Sequence, residues 1–188
     1  MTRLDKAVIE VVEFLNGQKL LYMIFGGYAV LVWGRARLTE DVDFKIRIHP
    51  EQFESLIRAA ADVFRIRTRN PLELLRELRV LPLETSTGIR ADVVAAGLPY
   101  EEEAIRRAVP LAVGGLDVRV CTAEDLILHK IISDRPRDLE DVAGVIAKQT
   151  SKLDRVYLDP RVEEIAAGLE RPTISTFYRE CLKKAKLD

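Results

Sequence analysis

The sequence lacks most of the features that would declare its function outright. Its 188 residues hold only two cysteines, Cys121 and Cys181, outside any CxxC pair. That excludes a disulfide framework and makes a reduced, cytoplasmic setting the expectation, with both thiols serving as small buried hydrophobes. No sign of charge dominates, since 29 Lys and Arg face 30 Asp and Glu, so there is no overall pull toward nucleic acid or an anionic membrane. A polyanion would have to be held by a local patch. Long apolar runs are missing too: the uncharged stretch from Leu20 to Gly34 is broken by Gly26 and Gly27 and is too short to span a bilayer. Asp5, Glu10 and Glu13 interrupt the N-terminal MTRLDKAVIEVVEFL, where a secretory signal would run apolar without a break, so no membrane partner is expected. There is no GK[ST], which excludes a P-loop, and no GxGxxG, which excludes the dinucleotide fingerprint. Repeats, low-complexity segments and Gly/Ser linkers are absent as well.

What is present reads as a globular chain, 48% apolar and 31% charged, long enough for one domain or for one domain with a helical appendage. Leu4, Val8, Val11, Val12 and Leu15 recur at helical spacing and predict a first helix over 4–16. A short buried strand over 21–25 then leads through the two glycines into a brief helix over 28–33, closed by Gly34. Residues 41–48 alternate strictly, with Val42, Phe44, Ile46 and Ile48 on one face and Asp41, Asp43, Lys45 and Arg47 on the other, as in a half-buried strand. Further along, a helix is expected over 50–64, strands over 78–84 and 88–95 joined by a turn at 85–88, a helix over 101–108 and a strand over 116–120. Thr122, with Asp125 three residues on, marks an N-cap, and the chain reads as helical from there to its end. The expectation is an α+β fold: a small mixed sheet flanked by helices in residues 1–121, followed by a C-terminal helical part, residues 122–188, packed on it.

The stretch FGGYAVLVWGRARLTEDVDF, residues 25–44, carries the chemistry. Period two puts Asp41 and Asp43 on one face, about 6 to 7 Å apart. At an effective dielectric of about 20 two such charges repel by roughly 2 to 3 kcal/mol before screening, which a wet surface tolerates. Alone, the pair therefore also fits a solvated sheet face. In GIRADVVAAG, however, Asp92 stands on the polar side of an otherwise apolar strand and adds a third acid. Three carboxylates on adjacent strands call for a cation, and carboxylate oxygens suit Mg²⁺ or Mn²⁺ rather than Zn²⁺, since neither His49 nor His129 lies in these motifs. A strand ending in Gly26-Gly27 and running into a helix offers backbone N–H groups to phosphate, although a tight turn with no ligand fits those glycines equally well.

Together these segments resemble the polymerase-β-type nucleotidyltransferase superfamily, with its Gly-Gly or Gly-Ser turn, short helix, DxD strand and third acid on a neighbouring strand. DLILHKIISDRPRDLEDV, residues 125–142, is similar to the helical segment of the small prokaryotic group that includes AbiEii-like and minimal nucleotidyltransferases. The resemblance covers about a third of the chain. It implies that Asp41 and Asp43 hold two Mg²⁺ (or Mn²⁺) ions, that Asp92 helps hold the one activating an acceptor hydroxyl, and that an NTP is the donor. The acceptor it implies is an RNA end such as that of tRNA, a protein side chain or a small hydroxylated molecule, and a cognate antitoxin is an implied partner. Gly27 departs from the pattern, standing where many active members carry Ser and leaving only backbone donors for the triphosphate.

Lys130 on the predicted helix, and Arg35 and Arg37 in the loop before the acidic strand, are candidate phosphate ligands beside Gly26 and Gly27. A snorkelling surface lysine and a solvated loop account for them as well. Arg137, Asp138 and Asp141 follow Pro136 and fit a structural role at the start of a helix. His129 reads as structural, and Lys183, Lys184 and Lys186 as complements to a helix C-terminus. Three functions are compatible: metal-dependent nucleotidyl transfer, a non-catalytic nucleotide- or partner-binding module of the same fold, and metal-assisted phosphoester hydrolysis.

Overall fold

A computed structural model describes residues 1–185. Its elements run α1 (Arg3–Gly17), β1 (Leu21–Phe25), α2 (Gly26–Trp33), β2 (Asp41–Arg47), a 3₁₀ turn (Pro50–Gln52), α3 (Phe53–Ala61), β3 (Arg65–Ile66), α4 (Pro71–Glu77), β4 (Val80–Glu84), β5 (Arg90–Ala95), α5 (Pro99–Arg107), β6 (Val109–Val113), β7 (Leu116–Val120), α6 (Ala123–Ile131), α7 (Pro136–Gln149), α8 (Arg155–Gly168) and α9 (Pro172–Ala185). The chain divides into two units, residues 1–28 with 38–121 and residues 29–37 with the segment from Thr122 onward.

The first unit is built on a mixed sheet of order β3-β4-β5-β2-β1-β7-β6. β2 lies at its centre, antiparallel to β1 and parallel to β5. The alternation expected for β2 is realised: Val42, Phe44 and Ile46 are fully buried together with Ile24, Ala91, Val93, Leu81 and Leu83, the residues that share their face of the sheet. α1 supplies Ala7, Val8, Val11, Val12 and Leu15 to the core, and α3 adds Phe53, Leu56 and Ala60. Thr2 starts α1 with a reciprocal cap, its hydroxyl taking the Asp5 N–H while the Asp5 carboxylate takes the Thr2 N–H. Phe14 meets Phe64 edge-on at 5.2 Å between ring centres. Truncating a side chain as enclosed as Phe44 costs about 3 to 5 kcal/mol, so β2 is the strand the unit can least spare.

Four details depart from the sequence reading. α2 begins at Gly26 itself, so the two glycines form its first turn instead of a loop before it. The helix expected over 50–64 opens as a 3₁₀ turn and stops at Ala61. β3 and α4 have no counterpart in the sequence expectation, because a two-residue strand shows no alternation and a seven-residue helix spans barely two turns. β6 gives no strand signal in the sequence because Pro110 interrupts it, which an edge strand tolerates.

The second unit is helical. α6, α7, α8 and α9 pack in the pairs α6–α7, α6–α8, α7–α9 and α8–α9. Thr122 caps α6, accepting from the Asp125 N–H at 3.1 Å. The Tyr157 hydroxyl donates to Asp125 at 2.7 Å, and the Asp154 N–H to Glu124 at 2.9 Å, tying α8 to α6. The last turns of α2 belong to this unit, and their carbonyls are capped by α7: Lys148 donates to Gly34 O and Gln149 to Trp33 O. Lys183 and Lys184 lie in the last turn of α9, whereas Lys186 lies outside the described residues. Among the described residues no helix is long and apolar enough to cross a membrane.

Candidate active site

The acidic strand and the glycine corner meet in the first unit through strand register. Phe25, the last residue of β1, is paired with Asp43, and Asp43 is paired with Asp92 on the other side. Asp41 is paired with Arg90. Strands lie about 4.8 Å apart, and residues in register or two apart share a face, so Asp41, Asp43 and Asp92 occupy one side of the sheet. Asp41 is exposed and accepts a 3.0 Å hydrogen bond from the Thr39 hydroxyl, while Asp43 and Asp92 are half-buried.

The corner is fitted to Asp43. Gly26 adopts a left-handed φ of +61°, and a Cβ built there would stand 1.8 Å from Asp43 Oδ2. Only glycine satisfies both the backbone and the space. Because α2 starts at this residue, its opening N–H groups have no intrahelical partner and carry the positive end of the helix dipole beside the Asp43 strand.

Burial pushes the Asp92 carboxyl above the usual carboxylate range, and the neighbouring Asp41 charge adds to the push; Arg67 and Arg90 work against it. Asp92 Oδ1 is buried without a hydrogen-bond partner among the described residues. Nor is any group of three or more His, Cys, Asp or Glu side chains there gathered into a ready metal cage. The acids do fit a hard divalent cation in two respects: all donors are carboxylate oxygens, and one of them is orphaned in a way a cation would relieve.

Lys45 shares the face of Asp43 but not its exposure. α5 covers that end of the strand, and the Lys45 ammonium is buried against Glu101 and over the Phe25 ring, 5.0 Å from its centre. Burial resists ionisation of Glu101, yet Lys45 and the Gly97 and Leu98 amides together hold its carboxyl below the usual range. The polar face of β2 is therefore divided into a closed half at Lys45 and an open half at Asp41 and Asp43. Sequence reasoning did not find this division, because α5 arrives from far along the chain.

The other candidates lie in the second unit. Lys130 is only 8% exposed and pairs with Asp138 at 2.5 Å and with Asp141 at 2.9 Å. Arg37 grips Asp141 with two 2.8 Å hydrogen bonds, and Asp138 also accepts from Ser133 and Arg135. Burial alone would raise both acids, but the hydrogen bonds from these cations hold Asp138 and Asp141 below the usual range. Arg35 is exposed along an open groove with Gly34, Ala36, Gly144, Ala147 and Lys148. The His129 ring engages the Asp125 carbonyl at 2.8 Å.

Comparison with known proteins gives no match among curated proteins. Among solved structures, the antibiotic-resistance factor ANT(2'')-Ia in complex with adenylyl-2''-tobramycin has a TM-score of 0.58 at 16% identity, over 88% of this chain and 100% of that one. Its solution structure gives 0.56 at 17% identity, over 94% and 96%. An antigenic nucleotidyltransferase-like protein from Paracoccidioides brasiliensis gives 0.53 at 17% identity, over 93% and 92%. At these identities the likeness is one of fold, and it agrees with the mixed sheet and helices described above. Residues 2–169 match the model of a family described as nucleotidyltransferase of unknown function (DUF6036), and the chain belongs to that family.

Proposed function

We propose that the chain transfers a nucleoside monophosphate from an NTP to a hydroxyl acceptor at the open half of the β2 face. The observation that carries this reading is the contact of Gly26 with the Asp43 carboxylate, which puts a helix N-terminus suited to phosphate against an acidic strand. In this reading the opening N–H groups of α2, at Gly26 and Gly27, hold the triphosphate. The Asp92 carboxylate accepts a hydrogen bond from the acceptor hydroxyl and orients its oxygen toward the α-phosphorus. The new O–P bond forms as the α–β anhydride bond breaks, the hydroxyl proton passes to the Asp92 carboxylate and from there to water, and pyrophosphate leaves. A divalent cation, Mg²⁺ or Mn²⁺, held by Asp41, Asp43 and Asp92 would lower the hydroxyl pKa and offset phosphate charge. What remains for the protein is alignment, the main lever in phosphoryl transfer.

In the second unit Arg35 is an exposed cation. Lys130 and Arg37 act by fixing the loop that carries it, through Asp138 and Asp141. Likeness of fold to a protein solved with an adenylylated aminoglycoside favours a small hydroxylated acceptor over an RNA end or a protein. The narrower AbiEii-like reading, with a cognate antitoxin, rests on residues 125–142 alone. Gly27, which offers no hydroxyl to a triphosphate, favours the second reading, a nucleotide-binding module without turnover.

Incubating the chain with labelled NTPs, Mg²⁺ or Mn²⁺ and a cell extract separates the two. Transfer of label or release of pyrophosphate, falling at least a hundredfold in Asp43→Asn, supports the enzyme. Nucleotide binding with no product supports the module, and nucleotide binding indifferent to Asp43→Asn removes both.

A further inference from the structure

Strand order gives the candidate site two different flanks. On the β1 side of Asp43 stands the glycine corner; on the β5 side, where Asp92 lies, the sheet continues through β4 to β3. The row through Asp43 and Asp92 runs on to Pro82, and the Arg67 N–H bonds to Pro82 O at 2.9 Å, so Arg67 ends that row on the same face. The neighbouring row runs from Asp41 through Arg90 and Glu84 to Arg65. Arg65 is paired with Glu84. Arg67 and Arg90 are both exposed, and neither side chain forms a hydrogen bond or ion pair among the described residues. Their charges are nonetheless felt at the site, since both act on the Asp92 carboxyl.

Building on the reading above, in which phosphates lie on the glycine side and the acceptor on the Asp92 side, we infer that Arg67 and Arg90 form an anion subsite for the acceptor and that the acceptor is a small phosphorylated molecule with a free hydroxyl. Two guanidinium groups with no hydrogen bond or ion pair among the described residues are a poor setting for a cationic aminoglycoside and a good one for a phosphomonoester, which takes paired N–H donors. The near-zero net charge of the chain argues for a small anion over a long nucleic acid, which would need phosphate contacts across a wide surface.

The test is calorimetric titration of the full chain in Mg²⁺ with ribose 5-phosphate, with ribose and with a short oligonucleotide bearing a 3′ hydroxyl, each without and with a non-hydrolysable NTP analogue. The expected result is binding of ribose 5-phosphate but not ribose, weakened at least tenfold in Arg67→Gln and unchanged in Arg106→Gln, which removes an equal charge from α5. Ribose bound as tightly as its phosphate, no phosphate binding at all, or no effect of Arg67→Gln would overturn the inference. So would Arg67-dependent binding of the oligonucleotide alone. Binding of the analogue, and its loss in Asp43→Asn, reads the nucleotide site separately, so the two ideas can fail independently.

Discussion

Two clusters of acids, one in each unit, are treated in opposite ways. In the helical unit Asp138 and Asp141 are enclosed, and each is met by cations: Lys130 touches both, Arg37 holds one and Arg135 the other. In the sheet unit Asp92 is half-buried beside a second acid, with one oxygen lacking a hydrogen-bond partner among the described residues. The first arrangement lowers the proton affinity of its acids and the second raises it. A fold gains nothing from an uncompensated carboxylate, so its presence marks a place kept for something other than stability. Compensated acids mark architecture.

Removing compensation should give the largest effect on stability. Lys130→Met leaves two enclosed acids short of a cation, and breaking a buried pair in this way costs about 3 to 5 kcal/mol, toward the lower end here because Arg37, Arg135 and Ser133 remain. Denaturant melts of the full chain measure it; a loss under about 1 kcal/mol would mean that the network is not what holds these helices. Asp92→Asn should do the reverse, raising stability by about 1 kcal/mol while lowering nucleotidyl transfer. A variant destabilised in the same melt would show Asp92 to be an ordinary structural acid.

The smallest effect lies in pH. Because the Asp92 carboxyl is raised in the folded chain, its cost is fully present at neutral pH and relieved as pH falls through that raised value. The advantage of Asp92→Asn in Tm should therefore shrink between pH 7 and about pH 4. Asp138 and Asp141 run the other way: their contribution is whole above the ordinary carboxylate range and lost as pH falls through their lowered values. A Tm gap between wild type and Asp92→Asn that stays constant on acidification would mean that Asp92 is not raised.

Much of this could be read from residues alone, for identifiable reasons. β1 and β2 are legible because apolar side chains alternate or run together between glycine and acidic punctuation, and the three acids stand out against their greasy neighbours. Thr122 announced α6 by its spacing to Asp125. Features set by distant chain were not legible. Lys45 looks identical to Asp43 in the alternation, and only α5, bringing Glu101, closes it off. Arg67 follows a strand of two residues, too short to carry a period, so its place at the end of the acidic row emerges only from the pairing of β3 with β4. The contact of Gly26 with Asp43 joins two legible motifs, but how closely they approach is a matter of register.

That approach binds two positions into one. With the Asp43 oxygen lying where any side chain at residue 26 would begin, residue 26 cannot gain one without displacing that carboxylate. A related chain with alanine or serine at the first of its two glycines must have moved its acid, and under the proposed function it is expected to show no transfer.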